Sequence, residues 1–130
     1  MATNMAKRIK GMGLAVMLVM LGHQTVFAQQ LAYNDAVKCT AYFITTAQLL
    51  EASDNKKMAG QYEVAAEYFY EESGRLAGSQ TGEEVEQAIV SSVETMTSVI
   101  KQDMDNYTKL ESMFENSCIA KAEATMASAN

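Results

Sequence analysis

Apolar residues recur at steps of three and four through most of the chain, and no sustained apolar/polar alternation appears, so helices are expected and strands are not. Four segments carry this spacing. The first, Asn34–Ala52, places Ala36, Cys39, Phe43, Ala47 and Leu50 on one stripe, widened by Val37, Ala41 and Ile44, with Asn34 or Asp35 as its N-cap. It is the most apolar segment, and the rest of the chain is expected to pack around it. Ser53-Asp54-Asn55 reads as a polar turn. The second segment, Lys56–Arg75, turns Met58, Tyr62, Ala65 or Ala66, and Phe69 inward and ends between Gly74 and Gly78.

Ala77–Gly82 (AGSQTG) is the clearest loop. It leads into a capping box in which the Thr81 hydroxyl and the Glu84 carboxylate satisfy each other's free amides. The stripe of this third helix is Val85, Ile89, Val93, Met96 and Ile100. The fourth, Asn106–Ala127, carries Tyr107, Leu110, Phe114 and Cys118, with Met113 beside them. Between the last two lies QDMDN, without Gly or Pro, and the stripe runs through Met104 to Tyr107 in phase. One helix of about 45 residues is therefore a second reading, the mean helix in globular proteins being far shorter.

The two cysteines favour four helices. In an up-down-up-down bundle the first helix ends where the fourth begins. Cys39 lies about 13 residues before that end and Cys118 about 12 residues beyond it, so at ~1.5 Å per residue both sit roughly 18–20 Å deep. A single long helix would carry Cys118 out of reach of the Cα separation of roughly 4.4–6.8 Å that a disulfide needs, and would require pairing between chains. The expected fold is all-α: a small up-down-up-down four-helix bundle with one intramolecular disulfide, Cys39–Cys118, preceded by a signal peptide.

That signal is residues 1–28. Lys7, Arg8 and Lys10 form a basic start, Gly11–Leu21 is an apolar run of about eleven residues, and Val26-Phe27-Ala28 offers a cleavage site. The run falls short of the roughly 20 apolar residues of a spanning helix, so no stable membrane anchor is expected after cleavage. Asp35-Ala36-Val37-Lys38, ahead of Cys39, lacks the small apolar residues of a lipoprotein box. Residues 29–130 then form one helical-bundle domain, expected in the bacterial periplasm or secreted.

Composition sharpens this picture mainly by exclusion. Losing Lys7, Arg8 and Lys10 takes the ten cations to seven against an unchanged sixteen acids, and the formal charge from −6 to −9. Such a domain repels nucleic acid and anionic lipid. His23, the sole histidine, leaves with the signal. Ser-His and Cys-His nucleophiles, His-ligated zinc, c-type haem attachment and Glu-x-x-His di-iron sites are all excluded. No Gly-rich phosphate loop occurs. The cysteines lack Cys-X-X-Cys spacing and a cationic neighbourhood, so their expected role is structural.

What remains is a surface. Glu63, Glu67 and Glu71 share a face of the second helix, where a solvated role is expected ahead of catalysis or a weak oxygen-ligated cation site. Glu83, Glu84 and Glu86 complement a helix dipole. Met58, Met96, Met104 and Met113 read as gap fillers rather than copper(I) ligands. Neither a metal site nor a cofactor is expected. Tyr62, Tyr68 and Tyr70, with the three glutamates, form the candidate interaction surface, since tyrosine is favoured at interfaces. Phe43, Tyr62, Phe69 and Phe114 are the candidate lining of an apolar ligand cavity. Asn106-Tyr107-Thr108 is a glycosylation sequon, relevant only in a eukaryotic secretory pathway. The expected function is non-enzymatic: binding another protein, with a basic one favoured, in an immunity, inhibitor or chaperone-like role. The alternative is a carrier of a small apolar ligand.

Overall fold

The structure, a computed structural model, describes residues 29–129; the expected signal segment lies outside the described residues. Four α-helices follow one another: α1 (Tyr33–Ala52), α2 (Lys56–Arg75), α3 (Gly82–Gln102) and α4 (Asp105–Ala129). They run up, down, up and down, and no strand occurs among the described residues.

The helix α1 is the axis of the molecule, because the other three all pack against it and α2 and α3 do so more extensively than they pack elsewhere. Its buried residues therefore encircle it instead of forming one stripe: Thr40, Tyr42, Thr45 and Thr46 are covered as fully as Ala36, Cys39 and Phe43. Thr40 is satisfied by the helix itself and Thr46 by the Tyr107 hydroxyl, whereas Thr45 Oγ1 is buried without a hydrogen-bond partner. Thr40 Oγ1 donates to the Ala36 carbonyl at 2.7 Å and lies 3.4 Å from Ser73 Oγ, which in turn donates to the Phe69 carbonyl.

Toward α2 the core is aromatic, with the Phe43 and Phe69 rings stacked at 5.3 Å. Toward α3 it is aliphatic, with Val37 against Val85 and Ile89. Toward α4 the contacts form an antiparallel ladder. The pairs Leu31–Thr125, Asp35–Lys121, Cys39–Cys118, Tyr42–Glu115 and Thr46–Tyr107 run from the residue pair just ahead of α1 up that helix while running back along α4. The Cys39–Cys118 disulfide is the covalent rung, with Cα atoms 5.8 Å apart and both residues buried. The match of depths expected of an antiparallel pair is what is found.

The connections explain where the helices stop. Asp54 takes the left-handed conformation, φ 62°, between α1 and α2, and Asn55 caps α2 by accepting from the Met58 amide. Gly78, φ 64°, turns the α2–α3 loop. The Thr81–Glu84 capping box is present, at 3.1 and 2.8 Å. Asp103 breaks α3 from α4 with extended backbone. Its Oδ1 accepts from the Asp105 amide, and Asn106 Nδ2 donates back to the Val99 carbonyl at 2.8 Å. These two side chains make a turn that contains neither Gly nor Pro, and four helices replace the single long one.

Several local expectations are corrected. Ala32, not Asn34 or Asp35, is the N-cap of α1; Asp35 sits three residues inside and accepts from the Ala32 amide. Met58, Met104 and Met113 lie outside the core, 44%, 63% and 63% exposed. Leu50 is only half-buried.

Candidate functional site

The candidate interaction surface divides in two. Glu63, Glu67, Tyr70 and Glu71 are exposed on the outer flank of α2, where the i, i+4, i+8 spacing places the three carboxylates along one side. Tyr62 and Tyr68 turn from that flank toward the interior and are half-buried. The Tyr68 ring meets Phe69 edge to face at 5.1 Å. Burial, helped by the nearby Glu72 carboxylate, pushes its phenol up to about 12.

Tyr62 belongs to a polar cluster centred on Glu115, which no sequence pattern singled out. Glu115 Oε1 accepts two hydrogen bonds, from the Tyr42 hydroxyl at 2.8 Å and the Tyr62 hydroxyl at 2.9 Å. The Tyr107 hydroxyl completes it, 3.3 Å from both Tyr42 Oη and Thr46 Oγ1. Three helices are joined here: Tyr42 and Thr46 come from α1, Tyr62 from α2, Tyr107 and Glu115 from α4. Burial raises the Tyr42 phenol far above its usual range, and its bonds to Tyr107 and Glu115 raise it further. Tyr62 is raised by burial and by Glu115. Both therefore remain donors to the Glu115 carboxyl oxygen. The periodicity of Tyr62 and Tyr107 pointed to this region; Glu115 reads as an ordinary surface acid because its partners are far away in sequence.

The four rings proposed to line a cavity lie in the same region and pack on other rings. Phe43 stacks on Phe69 and tilts against Tyr62 at 5.5 Å, and Phe114 stacks on Tyr42 at 6.0 Å. Two shallow depressions lie elsewhere, along α3, one reaching from Val93 to Gln102 and the other from Gly82 to Glu94. The sequon asparagine is committed to the α3–α4 turn, its amide nitrogen already donating to Val99.

Cations are scarce around the acids. Of the sixteen acidic residues, Glu72 pairs with Arg75 at 2.7 Å and Asp35 with Lys121 at 3.0 Å, and the described residues hold no other ion pair. Glu123 is partly buried with Oε2 unpartnered, and that burial raises its carboxyl. Among the described residues no group of His, Cys, Asp and Glu is placed to hold a metal ion. No described helix is long and apolar enough to cross a membrane. No protein-family model matches the chain, and comparison with curated proteins and with solved structures finds no match.

Proposed function

We propose that this is an exported, non-enzymatic protein that works by binding a basic protein partner. The observation that carries the reading is the uncompensated acidity: fourteen of sixteen carboxylates have no cation partner among the described residues. Surface acids in this number raise self-repulsion within the fold, and a basic partner relieves it while being steered to the surface from a distance. Glu63, Glu67, Tyr70 and Glu71 supply a charged flank with an aromatic handle, the composition that favours an interface. An immunity, inhibitor or chaperone-like role fits such a scaffold. Export is supported by the basic and apolar segments ahead of Gln29 and by the buried Cys39–Cys118 bridge, since structural disulfides persist in oxidising compartments.

The test is capture of partners from the native extracytoplasmic fraction at low salt, followed by a salt gradient. Basic proteins eluting sharply as ionic strength rises, and lost on a Glu63→Gln, Glu67→Gln, Glu71→Gln triple variant, support the reading. Retention of nothing basic at low salt overturns it. N-terminal sequencing of the same material checks export separately, with Gln29 the expected first residue.

A further inference from the structure

The proposed export sets where the domain begins, and Gln29 is then its amino-terminal residue. Gln29 and Gln30 are exposed, lie outside any helix, and make no hydrogen bond among the described residues. The next residue is fastened. Leu31 is 5% exposed, and its amide donates to Thr125 Oγ1 on α4 at 2.9 Å, the first rung of the α1–α4 ladder. Ala32 follows as the N-cap of α1, its amide donating to Asp35. Two exposed glutamines are thus all that separates the new terminus from a buried anchor.

We propose that Gln29 is a modification site, closing on itself to a pyroglutamyl lactam that blocks the exported chain. The α-amino nitrogen attacks the side-chain Cδ. An N–Cδ bond forms, the Cδ–Nε2 bond breaks, and the amide nitrogen leaves as ammonia with the proton released by the amine. No oxidant or reductant is needed. An α-amino group titrates at about 8, so part of it is neutral and nucleophilic at neutral pH. Both reacting groups belong to one residue and close a five-membered ring, so a bond rotation replaces an encounter in solution. Exposure and the lack of a competing hydrogen bond among the described residues leave that rotation free. Gln30 carries the same side chain but no free amine, and does not react. What the block protects is read from Leu31. An aminopeptidase that removed both glutamines would turn the Leu31 amide into an ammonium at a buried position, where a charge is costly. One further cut would remove Leu31 and, with it, the first rung.

This site rests on the export reading, and its test separates the two. The protein is purified from its native extracytoplasmic fraction and incubated at neutral pH, and its intact mass and N-terminal fragments are measured by mass spectrometry. Residues 29–130, lighter by one ammonia with the loss placed at Gln29, are the expected result. Gln29→Asn keeps the amide but could close only a strained four-membered ring, so this variant is expected to keep its ammonia and its free amine. Gln30→Asn is expected to cyclise like the parent. Under a broad-specificity aminopeptidase the parent is expected to keep its full length, while Gln29→Asn loses its first two residues. A chain starting at Gln29 that keeps its ammonia, or a parent trimmed as fast as Gln29→Asn, overturns the lactam and leaves export standing. Cleavage at another residue likewise overturns the lactam alone, and retention of residues 1–28 overturns both.

Discussion

Tyr42 donates its hydroxyl to Glu115 at 2.8 Å, from a ring 1% exposed on the central helix to a carboxylate on the last. The bond lies one turn from the Cys39–Cys118 bridge on both helices, so non-covalent and covalent ties are adjacent rungs. Hydrogen bonds to a charged group contribute about 1.5–3 kcal/mol, toward the lower end where water can replace the donor. Tyr42→Phe is expected to cost about 1.5–2 kcal/mol in urea unfolding, because the side chain is almost fully buried. Tyr62→Phe removes the second donor to the same oxygen from a half-exposed ring and is expected to cost about 1 kcal/mol or less. Equal losses would show that Glu115 does not rank its two donors by burial.

The same phenols set the alkaline limit of the fold. Tyr42, Tyr62 and Tyr68 are all raised above the ordinary tyrosine value of 10.0. An acid whose folded pKa is raised stabilises the fold fully below its unfolded pKa, and that contribution is lost as pH rises toward the folded value. Stability is therefore expected to hold up to about pH 10 and to decline above it, with Tyr68 reaching the end of its contribution near pH 12. Tyr42→Phe should flatten the decline. Tyrosinate absorbance near pH 11 should be smaller in the native protein than in urea, and identical absorbance in the two would contradict the buried cluster.

Cys39 and Cys118 stand 79 positions apart, so their bond closes most of the domain into a loop. Cross-linking a loop of this length stabilises by about 4–5 kcal/mol in the chain-entropy account, which is an upper value. That is comparable with the whole stability of many small domains, roughly 5–15 kcal/mol. The Cys39→Ala, Cys118→Ala double variant is expected to lose about 3–5 kcal/mol, read from its urea midpoint. A midpoint within error of the parent would assign the fold to packing alone.

The helices were legible because each carries its own local signal: the polar turn at Ser53-Asp54-Asn55, the Thr81–Glu84 capping box, the steps of three and four. The disulfide was legible because depth along antiparallel helices can be counted. The all-round burial of α1 was not, since Thr40, Thr45 and Thr46 read as polar, and their burial depends on neighbours from three other helices. Glu115 stayed hidden for the same reason, its donors lying 73 and 53 positions away. Met58 has core spacing but lies in the first turn of α2, 44% exposed with its sulfur against the Asn55 cap, so periodicity alone overstated its burial.

Gly60 offers a check on α2 that leaves every contact in place. It lies inside the helix, and a methyl group at its Cβ position would meet nothing within 4 Å. Gly60→Ala lowers the entropy of the unfolded chain without crowding the folded one and is expected to stabilise by about 0.5–1 kcal/mol. A destabilised variant would mean that the position is covered.

The α3–α4 turn gives the sharpest test of how the bundle closes. Two adjacent amphipathic stretches in phase would continue as one helix were it not for Asp103 and Asn106. Asp103 occupies the Asp105 amide, and Asn106 satisfies the Val99 carbonyl, an end group that otherwise turns to water. Capping losses of this type cost about 1 kcal/mol each. Asp103→Ala with Asn106→Ala is therefore expected to cost about 2 kcal/mol while the helices still fold back, because the disulfide and the α1–α4 ladder hold α4 in place. With Cys39→Ala and Cys118→Ala added, the opposition to a continuous helix is reduced to packing. A rise in dimer content by sedimentation is then expected, as an extended α3–α4 seeks α1 of another molecule. A quadruple variant that stays monomeric and folded would show that packing around α1 is sufficient to set the turn.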